Sequence, residues 1–456
     1  MNLKEFEYIY FLGIGGIGMS SLARYCSLQN KNVLGYDRQR SEICIELENE
    51  EISINYGEVV PKILKNKKVK EKVLVIYTPA IPTDNNQLVF FQKKCFQIMK
   101  RAELLGMISK DYFTIAIAGT HGKTSTCTML SHVLKNSGVN CTAFLGGISR
   151  NYNTNLIYSE QSDVFIIEAD EYDRSFHFLE PDIALITSID IDHTDIYSDY
   201  ENLVSSFQIF TSNINTGGVI FLEENIDTSI VDRDDIKLIR YGLDHSSDSF
   251  VDSIKYKNTG MSFNVNFNSE KLGCFDLQMG GIYNVVNALA AISISKLMNV
   301  SNENLVQSIE NFIGIKRRYD IHINNKNIVY IDDYAHHPVE IENCIVSTRN
   351  LFPNRHITCV FQPHLFTRTE YFMEEFAEAL SLSDKLILLD IYPAREEEIP
   401  GINSEVLYDK CKVKSKELVK IDEFFNSFEK DKVNILLTMG AGDISKLVEP
   451  IKKILQ

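Results

Sequence analysis

Two glycine-rich loops, each between an apolar strand pattern and a helical pattern, constrain the fold more than any other feature of this sequence. The first lies in YIYFLGIGGIGMSS (8–21), and the second lies in AIAGTHGKTST (116–126). Loops of this kind follow the carboxyl ends of parallel strands and bind phosphate groups at a helix N-terminus. Two of them in one chain favour an enzyme that uses ATP together with a nucleotide-linked substrate.

The order of strand and helix patterns predicts an α/β fold with more than one domain. A chain of 456 residues is too long for a single hydrophobic core. Buried strand patterns alternate with helical stretches to about residue 111, and a second unit opens at the second glycine loop. The segment IENFIGIKRRYD (309–320) resembles a domain junction, after which a third α/β unit follows.

Composition excludes several classes of protein. The formal net charge of −16 argues against a general nucleic-acid surface, so local cations, helix N-termini or a metal must hold an anionic ligand. No apolar run approaches the roughly 18 residues of a membrane helix. The N-terminal MNLKEFEYIY leaves no room for a signal peptide, and nine scattered cysteines fit reduced thiols. We therefore expect a cytoplasmic protein.

The first loop has the G-x-G-x-x-G spacing at Gly13, Gly15 and Gly18, with Asp37 about 20 residues further on. Taken alone, this pattern predicts a dinucleotide fold and leaves an NAD-type oxidoreductase as an alternative. Asp37 either contacts a ligand or ends a strand, and the sequence does not decide between these roles.

The second loop is typical of a phosphate-binding loop, although Ile117 stands where the motif has its first glycine. We expect Lys123 to neutralise the outer phosphates and Thr124 to bind Mg²⁺. Such a loop has no role in hydride transfer, which argues against the oxidoreductase. The predicted ATP-binding residues of the loop are Gly119, Thr120, His121, Gly122, Lys123, Thr124 and Ser125.

The two loops and a series of later motifs resemble the Mur ligases of peptidoglycan synthesis. The later motifs follow in family order: EADEYDRSF (168–176), DHTD (192–195), NVVNALAA (284–291), KRRYD (316–320), DDYAHHPVEI (332–341), FQPHLFTRT (361–369), PAREEEIPG (393–401) and GAGDI (440–444). The resemblance implies a Rossmann-like UDP-substrate domain (1–111), a central P-loop ATPase domain (112–315) and a Rossmann-like C-terminal domain (316–456).

The resemblance implies a reaction in which ATP activates the carboxylate of UDP-N-acetylmuramate as an acyl phosphate, which the amine of L-alanine then attacks. ATP and Mg²⁺ are the implied cofactors, and no nucleic acid or membrane partner is expected. The protein would be a monomer or homodimer. A ligase that joins a murein tripeptide to the same sugar is the nearest alternative, and a catalytically silent nucleotide-binding regulator is another.

Roles for single residues follow from the resemblance. Glu168 and His193 match the residues that bind or border the metal, beside Thr124. Asn287 and Arg318 match ATP contacts, although Arg317 is an alternative to Arg318. His336 matches a loop near the reacting groups, where it either accepts the amine proton or has a structural role. The amino-acid site would comprise Tyr334, His364 and Arg368, and the UDP-sugar site Gly13, Gly15, Gly16, Ile17, Gly18, Asp37, Thr78 and Arg101.

Overall fold

The predicted alternation of strands and helices is present along the chain. The computed structural model describes residues 2–66, 68–193, 196–257 and 259–456. The chain packs as two compact units, one of Met1–Ile189 and Glu201–Arg240 and the other of Asp190–Tyr200 and Tyr241–Gln456. Both units contain parallel sheets with flanking helices, so the α/β fold class is confirmed. The domain boundaries at 111/112 and 315/316 stay predictions.

The first unit begins with a parallel sheet of five strands in the order β3-β2-β1-β4-β5. Its elements are β1 (Tyr8–Leu12), α1 (Ile17–Leu28), β2 (Asn32–Tyr36), α2 (Glu42–Asn49), β3 (Ser53–Asn55), β4 (Val73–Tyr77), α3 (Asn86–Lys93), β5 (Gln97–Lys100) and α4 (Arg101–Ser109). The chain reverses its winding direction between β1 and β4. In doubly wound sheets, the crevice beyond the strand ends at this reversal is where ligands bind.

The same unit continues with strands in the order β11-β10-β6-β9-β7-β8, in which only β7 and β8 pair antiparallel. The elements are β6 (Phe113–Ala118), α5 (Lys123–Asn136), β7 (Cys141–Ser149), β8 (Thr154–Ile157), β9 (Val164–Glu168), β10 (Ile183–Ile186), α6 (Tyr200–Ser212) and β11 (Val219–Glu223). Since β6 lies between β9 and β10, the second glycine loop has the carboxyl ends of both neighbours beside it.

The second unit starts with an antiparallel meander and two helices. After β12 (Lys237–Gly242), which runs across the boundary between the units, these elements are β13 (Ser249–Tyr256), β14 (Met261–Phe267), β15 (Glu270–Leu277), α7 (Ile282–Leu297) and α8 (Asn302–Glu310). Most of α7 is buried, including its asparagines Asn284 and Asn287.

A six-stranded sheet in the order β16-β17-β21-β18-β19-β20 completes the second unit, and only β16 runs antiparallel to its neighbour. Its elements are β16 (Asp320–Asn324), β17 (Val329–Asp333), α9 (Pro338–Leu351), β18 (Ile357–Phe361), α10 (Phe366–Tyr371), α11 (Met373–Leu380), β19 (Lys385–Leu389), α12 (Ser404–Lys410), β20 (Ser415–Val419), α13 (Phe424–Ser427), β21 (Ile435–Met439) and α14 (Ser445–Leu455). Within the described ranges, no helix is long and apolar enough to cross a membrane.

Candidate active site

The first glycine loop lies at the reversal of the N-terminal sheet. Gly13 has a φ of +84°, a conformation that glycine adopts without strain, and its N–H donates to the Tyr36 carbonyl. The helix α1 that follows has Gly16 as its N-cap residue, which supplies no side-chain cap. The N–H groups of its first turn are therefore directed toward the crevice without a side-chain acceptor, as a pyrophosphate site requires.

Asp37 holds the shape of this loop. One of its carboxylate oxygens accepts from the Gly15 N–H at 2.9 Å, and the other accepts from the Gln39 N–H at 3.1 Å. A side chain at Gly15 would overlap the Asp37 carboxylate. Asp37 thus has a local structural role, and its contact with a ribose or uracil stays a prediction.

Thr78 and Arg101 come from the next two strand ends and lie against the same loop. A Cβ added at Gly13 would contact the Thr78 methyl group, and one added at Gly18 would overlap the Arg101 guanidinium. Arg101 also lies 3.7 Å from Asp170. The structure therefore brings both predicted UDP-sugar residues to the glycine turn and places a cation beside the start of α1.

Thr187 and Ser188, which follow β10, support the second glycine loop. Gly119 has a φ of +124°, and a Cβ there would overlap the Thr187 hydroxyl. Thr120 N–H donates to the Ser188 carbonyl at 3.1 Å, and His121 N–H donates to the Ser188 hydroxyl at 3.0 Å. The N-cap residue of α5 is Gly122, which supplies no side-chain cap, and this leaves the first turn of the helix suited to phosphate.

Lys123 forms an ion pair with the buried Glu171 beside this loop. Its ammonium donates to both oxygens of Glu171, at 2.9 and 2.8 Å, and to the Gly119 carbonyl at 2.6 Å. The Glu171 side chain is only 2% exposed. Burial alone would lower the pKa of Lys123, but the Glu171, Asp170 and Glu168 carboxylates raise it above its usual value. Lys123 is therefore a fixed cation.

Thr124 and Glu168 meet at the mouth of β6 and β9. The Thr124 hydroxyl donates to Glu168 at 2.9 Å, and the Gly146 N–H donates to the other carboxylate oxygen at 2.9 Å. A hydroxyl and a carboxylate beside a phosphate loop form the all-oxygen donor set that Mg²⁺ prefers. The residues present therefore fit Mg²⁺ held jointly with phosphate oxygens.

In the second unit, Arg368 pairs with Asp192. The Nε and Nη2 of Arg368 both donate to one Asp192 oxygen, at 3.1 and 2.8 Å. Both side chains are buried. Burial opposes the charge on Asp192, but Arg368 and the nearby His193 and His336 hold the pKa of this carboxyl well below its usual range.

Two histidines near Arg368 are neutral, and their contacts define their tautomers. Arg368 Nη1 lies 3.2 Å from His364 Nδ1. A guanidinium only donates, so His364 Nδ1 accepts and its proton is on Nε2. Nδ1 of His336 lies 3.0 Å from the Tyr334 carbonyl and donates to it, which leaves Nε2 unprotonated and able to accept. Burial lowers the pKa of His336 to about 4 and that of His364 to about 3.

The low pKa of His336 predicts a pH-dependent stability. Between pH 6.5 and about 4 the unfolded chain binds this proton before the folded one does. The free energy of unfolding should therefore decrease as the pH is lowered from 6.5 to about 4, by up to about 3 kcal/mol from this residue. Urea unfolding of the wild type and His336→Gln at several pH values measures it. A difference between the two proteins that does not change with pH would contradict the burial argument.

The sequence left Arg317 and Arg318 as alternatives, and their surroundings near the start of the C-terminal sheet differ. Arg317 is held locally, by Asp332 at 3.1 Å and by the Gly440 carbonyl at 2.6 Å. The Arg318 guanidinium lies over the Tyr334 ring, 4.9 Å from its centre. The local bonds of Arg317 favour Arg318 as the ATP contact, which stays a prediction.

Asn284 and Asn287 are adjacent on one face of α7, as their spacing predicts. Both side chains are buried, and the Asn287 amide lies 3.5 Å from the Asn284 oxygen. Asn284 is itself bonded to the Gly280 carbonyl at 2.7 Å. The Asn284 contact orients the Asn287 amide, whose role near adenine stays a prediction.

The predicted metal ligands do not all lie in one unit. Thr124 and Glu168 are together in the first unit, whereas His193 follows Asp192 in the second and its Nε2 lies 3.8 Å from Asp192. Among the described residues, no group of three or more His, Cys, Asp or Glu side chains could hold a metal ion. The last two residues of the DHTD motif, Thr194 and Asp195, lie outside the described residues.

Sequence reasoning missed three residues that shape the site: Glu171, Ser188 and Asp192. Glu171 lies in the EADEYDRSF motif, where the sequence assigns it no role, and it is the partner of Lys123. Ser188 lies outside the quoted motifs, and its hydroxyl accepts from the His121 N–H of the glycine loop. Asp192 is 176 residues from Arg368 in sequence, so a pattern in one chain gave no signal of their pairing.

Comparison with known proteins covers nearly the whole chain. Three family profiles match in succession: the Mur ligase family catalytic domain at 8–113, the Mur ligase middle domain at 117–295 and the glutamate ligase domain of Mur ligases at 317–442. A UDP-N-acetylmuramate–L-alanine ligase of Parabacteroides distasonis is 42% identical, over 100% of this chain and 98% of that protein. One of Cytophaga hutchinsonii is 40% identical, over 99% and 97%.

Solved structures show the same architecture. The crystal structure of a UDP-N-acetylmuramate–alanine ligase from Thermotoga maritima aligns with a TM-score of 0.82 and 26% identity, covering 98% of this chain and 99% of that one. A murein peptide ligase from Psychrobacter arcticus aligns with a TM-score of 0.72 at 21% identity, over 98% of each chain, which shows likeness of fold.

Proposed function

The chain belongs to the Mur ligase family, and on that premise we propose that it is the ATP-dependent ligase that joins L-alanine to the carboxylate of UDP-N-acetylmuramate. The observation that carries the proposal is the full-length identity of about 40% to ligases of that name. The geometry agrees with this chemistry, because the chain has a pyrophosphate turn, a phosphate loop and a buried arginine for a carboxylate.

The residues divide the reaction between them. The α1 N-terminus and Arg101 bind the UDP-sugar, and the α5 loop with Lys123 binds the triphosphate. Bringing two anions together requires cations that are already in place, and the fixed charge of Lys123 meets that need. Arg368 binds the alanine carboxylate with His364 and Tyr334 beside it. The neutral Nε2 of His336 accepts the amine proton during attack on the acyl phosphate.

Mg²⁺ belongs to the proposal as the ion that Thr124 and Glu168 hold with the phosphates, with His193 as a third contact. Bound there, the ion supplies charge neutralisation to phosphoryl transfer. The hydrogen bonds to Glu168 from Thr124 and Gly146 support this assignment because they fix the carboxylate toward the loop. A soluble cytoplasmic location and a monomeric or dimeric state are the remaining parts of the proposal.

Replacing Glu168 with glutamine tests the metal assignment. The neutral amide binds the ion weakly, so kcat should fall by about 10²-fold and recover in part at high Mg²⁺. Phosphate release measured over a range of Mg²⁺ concentrations checks this. Glu180→Gln, which changes an exposed carboxylate, is the matched control. An unchanged Mg²⁺ dependence in Glu168→Gln would refute the assignment.

The amino-acid assay tests the function itself. Purified protein is incubated with ATP, UDP-N-acetylmuramate and either L-alanine, glycine, L-serine or the murein tripeptide, and phosphate release is followed with mass analysis of the product. We expect the highest kcat/KM with L-alanine. Preference for the tripeptide would reassign the substrate. Binding of the UDP-sugar without release of phosphate would indicate a silent relative.

A further inference from the structure

Helix α1 packs against two sheets in the first unit. Besides its own sheet, it contacts the edge formed by β7 and β8. Tyr25 of α1 makes edge contacts with Phe144 and Phe165, at centroid distances of 5.4 and 5.9 Å. The helix that opens from the pyrophosphate turn is therefore seated on the sheet that carries the phosphate loop.

One fully buried amide fixes the first turn of that helix. Asn155 of β8 is 0% exposed, and its Nδ2 donates to the Ile17 carbonyl at 2.6 Å and to the Ser20 hydroxyl at 2.8 Å. Its Oδ1 accepts from Arg24 Nη1. Each polar atom of the amide thus has a partner on α1, and a side chain without both donors and an acceptor could not replace it.

Arg24 extends the same network to the next helix. Its side chain is buried, and it donates to Glu50 and Glu46 at 2.9 Å each. Burial opposes the charge of Arg24, but these carboxylates raise its pKa above its usual value. The Asn155 acceptor therefore bonds a permanent, oriented cation, and such charge-assisted bonds are stronger than neutral ones.

The network leads on to the proposed metal site. Strand β8 pairs with β7 through Leu156 and Phe144, and β7 contains Gly146, whose N–H donates to Glu168. A short path of strand pairing and hydrogen bonds therefore joins the pyrophosphate turn to the carboxylate at the phosphate loop. The reacting ends of the two substrates must meet within a fraction of an ångström, so the position of α1 on this sheet matters.

We propose that Asn155 is a positioning residue for the UDP-sugar, which sets the pyrophosphate turn at the correct place relative to the phosphate loop. The proposal rests on the proposed function, because it takes the glycine turn as the UDP-sugar site. Asn155 acts through α1 and contacts neither substrate. Its loss should therefore affect the binding and reaction of the UDP-sugar and leave the other two substrates unaffected.

Steady-state kinetics of Asn155→Ala test the proposal. We expect KM for UDP-N-acetylmuramate to rise by about tenfold and kcat to fall by several-fold, with KM for ATP and L-alanine changed less than about twofold. A calorimetric titration with the UDP-sugar alone should show the same loss of affinity. Equal changes in all three KM values, or none in that of the UDP-sugar, would overturn the proposal.

Two further variants keep the test decisive. Gln29→Ala breaks a hydrogen bond to Tyr158 at the far end of the same helix, so it loosens the interface away from the turn and should leave all KM values unchanged. Ser20→Ala removes one acceptor of Asn155 and should raise the UDP-sugar KM by about twofold to threefold, even if Asn155→Ala does not fold. No change in Ser20→Ala would overturn the proposal in that case. Turnover by the wild type tests the proposed function separately.

Discussion

Lys123→Ala is expected to abolish ATP-dependent phosphate release, with kcat reduced by at least about 10³-fold. In the proposed function the Lys123 ammonium is the cation of the loop that neutralises the transferring phosphoryl group, and alanine supplies no charge there. Binding of UDP-N-acetylmuramate should persist, because the first glycine loop follows β1 of the five-stranded sheet, whereas Lys123 follows β6 of the next sheet. Phosphate release and calorimetric binding of the UDP-sugar measure the two effects. Loss of sugar binding with phosphate release preserved would contradict this division.

The same change should also destabilise the fold. Without Lys123, the carboxylate of Glu171 stays buried with its main partner gone, which costs about 3–5 kcal/mol. The double variant Lys123→Ala/Glu171→Gln removes the stranded charge. It should regain most of the lost free energy of unfolding while phosphate release stays absent. Restored activity in the double variant would show that Lys123 acts only by neutralising Glu171.

Arg368→Ala should raise KM for L-alanine and lower kcat/KM for this substrate by about 10²-fold to 10³-fold, with the KM values of ATP and the UDP-sugar near those of the wild type. The Arg368 guanidinium donates through Nε and Nη2 to the Asp192 carboxylate, and a paired donor of this kind suits the carboxylate of alanine. Arg368→Lys keeps the charge but loses the fork, so it should fall between the wild type and alanine.

Two controls separate binding from folding in this experiment. Arg368→Ala leaves Asp192 buried and unpaired, so Arg368→Ala/Asp192→Asn should recover stability without recovering alanine affinity. Arg349→Ala removes an arginine that pairs with Asp384 at the surface of the same unit and should leave the alanine KM unchanged. An equal rise of all three KM values in Arg368→Ala would contradict a carboxylate role.

The sequence predicts the features that depend on a few neighbouring residues, such as turns, helix starts and helix faces. The glycine spacing at 13–18 and 119–122 specifies a turn and a helix start within a few residues, and both lie at strand ends as expected. Asn284 and Asn287 share a face because helical geometry alone places them there. The alternation of apolar strands and helices was sufficient for the α/β fold.

Contacts between residues that are distant in sequence could not be predicted from the sequence alone. Lys123 meets Glu171 across 48 residues and Arg368 meets Asp192 across 176, and only the packing of separate strands brings each pair together. Ser188 bonds to the His121 N–H across 67 residues, so no local pattern indicates its role. Asn155 belongs to no motif, because a single buried amide that bonds to another element produces no periodic pattern in the sequence.

The ion pair between Lys123 and Glu171 has a consequence for selectivity among anions. The resting loop carries its own counter-charge, so a small anion gains little net attraction by entering it. Under the proposed function, a triphosphate would compensate for displacing the glutamate through additional contacts with the N–H groups at the start of α5. Orthophosphate has fewer oxygens for such contacts, so it would be held less firmly and would leave the loop more readily.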